Sequence, residues 1–336
     1  MLDIFNCGQG DSIRLTSKKC IWNAQNPLYI DLGPANYTRA VAENEIDLLI
    51  THSHKDHISG MSIPKRIRIR TLYIPAYYLE IRKIVSHLTG RWPYLPSGRQ
   101  GNINILYEGA YSGCCHAEIL NPPLNPYTIF GIDPENASGV DEYLERFGTS
   151  VDNIINDQAD LDDVSFPDGY EPEKFIRIAV HLISHKDKGD TIKAVNRFLE
   201  YDANKISIVF SYKHYNDKGD EETFLLTGDA DKSVFNRLIK NKAGSLKADV
   251  LKVPHHGSKN NLNLRIVQRI SPKIAVISHN NGKFGRAKDP HPNKEIIAIL
   301  KKSGIPAYYT NDVIKNNNTV CASHSGIISS ASVTII

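Results

Sequence analysis

The stretch Thr51-His52-Ser53-His54-Lys55-Asp56-His57-Ile58-Ser59-Gly60 constrains this chain more than any other. It carries an H-x-H-x-D-H pattern and directly follows the apolar run Ile46-Asp47-Leu48-Leu49-Ile50. That run has the length of a buried strand and is too short for a typical helix. Side chains leaving a strand end and entering a turn can converge on one point. Here His52, His54, Asp56 and His57 are all metal-ligand types. Imidazole nitrogens and carboxylate oxygens suit zinc and, with more oxygen, manganese or iron. Four ligands within six residues are more than one tetrahedral ion takes from so short a loop. His52 and His54 can serve one ion, and Asp56 and His57 a neighbour, which begins a two-metal hydrolytic site.

Four further segments accompany that loop: Phe5-Asn6-Cys7-Gly8-Gln9-Gly10-Asp11-Ser12, Tyr29-Ile30-Asp31-Leu32-Gly33, Leu225-Leu226-Thr227-Gly228-Asp229 and Val253-Pro254-His255-His256-Gly257-Ser258. Together with Thr51–Gly60 they resemble the signature of the metallo-β-lactamase fold. More narrowly, they resemble the hydrolase domain at the end of ComEC, the DNA-uptake channel protein, and its stand-alone relatives. The resemblance implies an α/β chain folded as an αββα sandwich, with two divalent metal ions, Zn or Mn, at one edge between the sheets. It covers nearly all of a single domain, 1–336, except the stretch 121–202. That stretch opens on the breaker-rich Asn121-Pro122-Pro123-Leu124-Asn125-Pro126 and is read as an acidic insertion covering part of the site mouth. The alternatives are disorder or a module that binds a protein partner.

Within the resembled family the aspartate matching Asp229 bridges both metals. Two cations that share a water lower its pKa, so a bridging hydroxide forms without a side-chain base. They also neutralise charge developing on a phosphate or carbonyl oxygen. An N-cap before the next helix is the plainer role for Asp229. Successive side chains of an extended chain alternate, so His255 and His256 are expected to diverge. His255 is assigned to the second metal, alongside Asp56 and His57. His256 is assigned to substrate or to leaving-group protonation, with Asp56 counted among the catalytic groups as well. His291, in an H-P-x-x-E arrangement matching a late family motif, is another candidate proton donor. Gln9 and Asp11 lie in a Gly-rich hairpin turn and could contact substrate or ligating histidines, and Asp31 could fix a histidine tautomer. Asn204 and Ser207 match the family's N-x-x-S element, and Ser258 could assist with phosphate or cap a helix. The third first-metal histidine of classical metallo-β-lactamases has no counterpart: His116, His181 and His185 all lack a G-H-T context.

Net charge is +3, but its distribution is uneven. Residues 61–100 hold Lys65, Arg66, Arg68, Arg70, Arg82, Lys83, Arg91 and Arg99 against Glu80, interleaved with Tyr73, Tyr77, Tyr78, Trp92 and Tyr94. Lys65, Arg66, Arg68 and Arg70 form a candidate nucleic-acid patch, since basic groups neutralise phosphates and aromatic faces stack bases. A solvated face with ordinary core aromatics explains the segment equally well. Residues 131–173 hold thirteen acids and, as base, only Arg146. No apolar window approaches the roughly 20 residues that span a bilayer. Met1-Leu2-Asp3-Ile4-Phe5 reads as a strand rather than a signal peptide, which points to the cytoplasm. Five cysteines without zinc-knuckle spacing read as reduced thiols, Cys7 among them as a small core residue. Three functions are compatible with these features: a two-metal phosphodiesterase or nuclease; a hydrolase of a small phosphoester, thioester or lactone; and a metal-containing protein-interaction subunit.

The expected elements include a helix around Tyr37–Glu43, a strand at Ala117–Leu120 closing the first sheet, and a strand over Asn204–Phe210. Helices are expected near Asp141–Phe147, Thr191–Leu199, Lys232–Lys240 and Lys294–Lys302.

Overall fold

A computed structural model describes residues 2–5, 7, 9–16, 26–34, 41, 43–58, 67–91, 100–110, 116–157, 164–215, 221–242, 246–279, 284–286, 289–310, 320–321, 326–328 and 332–335. Lys65, Arg66, Trp92, Tyr94 and most of the expected Tyr37–Glu43 helix lie outside this set.

Two mixed sheets form the centre of the fold. Among the described residues the first runs in the order Val320–Cys321, Gly326–Ile328, Ser332–Ile335, Leu2–Phe5, Ser12–Leu15, Leu28–Leu32, Glu45–Leu49, Arg68–Pro75, Gln100–Leu106, Val164–Ser165. From Leu28–Leu32 onward neighbours are parallel; before it they are antiparallel. The second runs Ala307–Tyr309, Ile274–Ile277, Val250–Lys252, Glu221–Leu226, Val209–Tyr215, Ala117–Asn121.

The side-chain period of two sorts each strand into two layers. Leu28 and Ile30 face the space between the sheets while Tyr29 faces outward; Phe224 and Leu226 face in, Leu225 out; Val250 in, Leu251 out. The inner residues of both sheets form one apolar layer. The outer face of the second sheet packs on the helices Lys232–Lys242, Leu264–Ile270 and Lys294–Lys302. The outer face of the first packs on Tyr78–Thr89, Pro172–Lys186 and Thr191–Arg197. The chain is therefore an α/β sandwich with helices outside two facing sheets, as expected.

Three expectations need correction. Ala117–Asn121 is antiparallel to Val209–Tyr215 and so belongs to the second sheet. Asn204 does not start a strand: Ala203–Ile206 is a 3-10 turn, and the strand begins at Val209. The alternative of disorder does not hold for the described residues of the central segment, which build much of the outer helical layer. Phe175, Ile176, Ile178, Ala179, Val180 and Ile183 of Pro172–Lys186 are fully buried against the first sheet's helical layer. Apart from Ala179, each of these side chains contributes about 1.5–3 kcal/mol by leaving water. The sequence hid this because the segment's acids occupy the solvent side of helices whose other side is apolar.

The Tyr77 ring stacks between Tyr170 and Phe175, with centroids 4.6 and 4.3 Å away, and joins this segment to Tyr78–Thr89. The Tyr170 hydroxyl donates to Glu80 and accepts from the Tyr77 backbone N–H at 3.0 Å. Burial lifts the Glu80 carboxyl above its ordinary 4.5, with the Tyr170 hydrogen bond and Lys83 opposing. Above that value the unfolded chain loses this proton before the folded one does, so rising pH favours unfolding until the folded group also ionises. Glu80→Gln removes this contribution. As pH rises above about 4.5 the parent should therefore lose thermal stability relative to Glu80→Gln. Melting curves that stay parallel across that range would show that Glu80 ionises alike in both states.

Candidate metal centre

The site forms where parallel strands from both sheets end at a common edge, the usual place for ligands in α/β sheets. Glu45–Leu49 leads into Thr51, whose backbone N–H and hydroxyl donate to the two oxygens of Asp31 at 2.8 and 2.6 Å. The short helix Lys55–Ile58 then turns His57 back toward His52. Glu221–Leu226 in the second sheet delivers Asp229, and Val250–Lys252 delivers the turn Pro254–Gly257 with His255 and His256. Two glycines permit the approach. A Cβ on Gly10 would lie 2.1 Å from the Asp56 carbonyl oxygen, and Gly10 has φ +120°; a Cβ on Gly228, at φ +48°, would lie 3.1 Å from the Thr51 Cβ. Asp31, His255 and His256 also have left-handed backbones, at φ 54°, 47° and 54°. Such conformations cost of order 1–3 kcal/mol each and persist where the surroundings impose them.

Asp229 is the centre of the arrangement and is fully buried. Its Oδ2 lies 3.4 Å from His52 Nε2, 3.8 Å from His54 Nδ1 and 3.6 Å from His255 Nε2. Its Oδ1 lies 3.4 Å from His57 Nε2. On the far side of His57, His256 Nε2 is 3.3 Å from Asp56 Oδ2. Two groups thus offer ligand atoms within 4.8 Å of one another: His52, His54 and Asp229, and Asp56, His57 and His256.

Each of these histidines has its other ring nitrogen anchored. His57 Nδ1 meets Asp31 Oδ2 at 2.6 Å, and His52 Nδ1 meets the Thr51 hydroxyl at 3.0 Å. His256 Nδ1 meets the Ser278 carbonyl at 2.9 Å, and His54 Nε2 meets the Leu199 carbonyl at 2.6 Å. Anchoring one nitrogen fixes the tautomer and points the other inward, as in metal sites. The inward atoms His52 Nε2, His57 Nε2, His256 Nε2 and both Asp229 oxygens are buried without a hydrogen-bond partner. Five orphaned polar atoms at one point would be costly in a finished core. Two donors each about 2.0–2.2 Å from a tetrahedral ion stand roughly 3.4 Å apart, close to the spacings here. The donor set therefore fits divalent cations, and these groups could hold one or more metal ions.

The charges agree. The neighbouring His255, His57 and His52 drive the Asp229 carboxyl well below the usual carboxylate range despite burial, which opposes the shift. Burial also opposes the rise of His57, but Asp229, Asp31 and Asp56 raise it well above an ordinary imidazole. Burial and repulsion from His57 push His52 down to about 3.

Sequence reading and geometry meet at different depths. His52, His54, Asp56, His57, Asp229, His255 and His256 converge, although they come from opposite parts of the chain. His255 and His256 do not alternate along an extended strand; both take left-handed conformations, and His256, not His255, lies with Asp56 and His57. His255 sits on the more open side, its side chain 20% exposed, with its ring 4.8 Å from that of His291. Gln9 Nε2 lies 3.4 Å from His291 Nδ1. Asn204 and Ser207 are buried next to the cluster's approach: Asn204 donates to the Glu200 carbonyl, and Ser207 Cβ flanks Gly228. The Ser258 hydroxyl accepts from Asn260 N at 3.3 Å. His181 and His185 lie on the solvent side of Pro172–Lys186 and bond to backbone carbonyls, away from the cluster.

Across its described residues the basic segment follows the plainer of its two sequence readings, a solvated face with core aromatics. Arg70 pairs with Asp47 at 3.1 Å, and Arg68 stands opposite Glu45. They are at the opposite end of the strand from the cluster, Arg68 about 13 Å before the level of Leu49. Tyr73, Tyr77 and Tyr78 are buried, so they offer no stacking face. Thr51, Ser278, Lys252 and the Leu199 carbonyl were not assigned roles from sequence. A lysine in the apolar run Val250-Leu251-Lys252-Val253 was the one readable sign among them.

No family model matches the chain. ComE operon protein 3 of Bacillus subtilis (strain 168) is 36% identical over 89 residues, which are 26% of this chain and 11% of that protein's length. No helix among the described residues is long and apolar enough to cross a membrane.

Asp31 holds His57 directly and His52 through Thr51. Asp31→Asn should therefore lower divalent-metal affinity about 10- to 100-fold, as for other outer partners of ligating histidines. Competition with a chromophoric chelator measures this, and an unchanged affinity would exclude the anchoring role.

Proposed function

We propose that this chain is a hydrolase that takes two divalent cations, Zn or Mn, and cleaves phosphodiesters, with a nucleic acid as the substrate. The observation that carries the reading is Asp229, a buried carboxylate whose two oxygens face orphaned imidazole nitrogens on either side. His52, His54 and Asp229 would hold one cation; Asp56, His57 and His256 would hold the other, with Asp229 shared. Bound there, such ions supply a nucleophile from water at neutral pH and neutralise charge developing on a phosphoryl oxygen.

The chain's own groups prepare this chemistry. Asp31 and Thr51 orient His57 and His52, the Ser278 carbonyl orients His256, and Leu199 orients His54. The Gln9 amide can only donate to His291 Nδ1, which leaves the His291 proton on Nε2. In this reading that proton, on a ring 4.8 Å from the ring of His255, would pass to a departing oxygen.

The likeness of five motifs to the ComEC hydrolase and the local match to ComE operon protein 3 support a nucleic-acid substrate. The burial of Tyr73, Tyr77 and Tyr78 favours a second reading, a small phosphoester, thioester or lactone. Salt discriminates the two, because counterion release makes nucleic-acid binding weaken steeply with ionic strength.

His54→Ala or Asp229→Asn should abolish hydrolysis of DNA, RNA and a generic small phosphodiester while leaving the circular dichroism spectrum unchanged. Near-parental turnover in either variant would rule this mechanism out.

A further inference from the structure

Lys252 ends a strand in which Val250 faces the layer between the sheets and Leu251 the outer helices. Alternation returns Lys252 to the inter-sheet side, where it is 1% exposed. A buried ammonium persists only when it is paired and hydrogen-bonded. Its Nζ donates to Asp11 Oδ2 at 2.7 Å and to the Val253 carbonyl at 3.1 Å. The Ser278 hydroxyl donates to the other carboxylate oxygen, Asp11 Oδ1. Asp11 is thus a buried carboxylate with both oxygens engaged. It nevertheless stands within ligand range, since Asp11, His57 and Asp229 offer atoms all within 4.8 Å of one another.

We propose that Lys252 and Ser278 hold Asp11 out of the metal shell, and that this restraint sets which divalent cation the site prefers. The proposal rests on the two-cation reading above. A carboxylate joining Asp56 and Asp229 would add an oxygen donor and a negative charge. That change moves the donor set from one that suits zinc toward one that suits manganese or magnesium. The Lys252 ammonium cancels the Asp11 charge and engages one oxygen, while the Ser278 hydroxyl engages the other. The same residues lie behind His256, whose Nδ1 is 2.9 Å from the Ser278 carbonyl and 3.8 Å from Asp11 Oδ1. Asp11 enters from the first sheet, and Lys252 and Ser278 from the second, so the restraint also joins the sheets beside the site.

The test compares Zn and Mn affinities and stoichiometries by chelator competition in the full chain, in Ser278→Ala and in Lys252→Met. Ser278→Ala removes a hydroxyl that also lies 3.3 Å from His256 Nδ1 and keeps the carbonyl that anchors His256 at 2.9 Å, so the Asp11→Asn partner variant separates the two contacts. Both variants should shift the Mn-to-Zn affinity ratio toward Mn by about tenfold, the scale on which outer partners tune metal sites. Asp11→Asn added to either should return the ratio to the parental value. An unchanged ratio in Ser278→Ala, or a shift that survives Asp11→Asn, overturns the proposal. Should Lys252→Met not fold, Ser278→Ala with and without Asp11→Asn decides it. A parent chain that binds neither metal would overturn the two-cation reading and this one together, whereas a parent that binds two equivalents with inert variants overturns this one alone.

Discussion

A carboxylate taken fully out of water must be compensated, and the buried Asp229 imposes that requirement on everything around it. The penalty for an isolated buried ion is far larger than the net stability of a domain. Here the compensation is gathered from both sheets: histidines from the end of a first-sheet strand, and histidines from a turn in the second. The strands are ordered so that their ends meet at one edge, and glycines stand where a Cβ would block the approach. The left-handed turns at Asp31, His255 and His256 belong to the same requirement, since each would be an unfavourable choice in a site that needed nothing from it.

Around that carboxylate the histidines are held from outside by unlike partners. One is a carboxylate, one a hydroxyl, and two are backbone carbonyls. The Leu199 carbonyl comes from a π-helical turn, Phe198–Asp202, at the end of the acidic central segment. A helix wound one residue wide exposes carbonyls that an α-helix would use internally, and such turns recur at functional sites. That segment is therefore both part of the outer helical layer and a direct support of one inward-facing histidine.

The ligand-type residues were legible because their spacing and their strand contexts are local. His52 through His57 occupy a single loop, and Gly228-Asp229 and His255-His256 each follow a short apolar run. The layers were legible from the period of two. What sequence did not reveal depends on contacts between distant residues. Ala117–Asn121 reads as a strand, but its sheet is decided by pairing with Val209–Tyr215, roughly ninety residues on. Tyr77 and Tyr78 look like candidates for stacking bases until a helix from residues 172–186 covers them. Lys252 could be noticed, yet its partner is Asp11, 241 positions away. The left-handed conformations of His255 and His256 were not legible either, since histidine is enriched there among non-glycine residues but adopts that region only in a small minority of cases.

The first sheet places Leu2–Phe5 between Ser12–Leu15 and Ser332–Ile335, with Leu2 opposite Ile335. Synthesis therefore makes Leu2–Phe5 more than three hundred residues before Ser332–Ile335, the neighbour that covers its outer side. During that interval the strand's outer backbone groups form a bare edge, the kind of surface that recruits foreign strands. For this edge the hazard lies in synthesis rather than in the finished fold, and it ends only when residues 332–335 arrive.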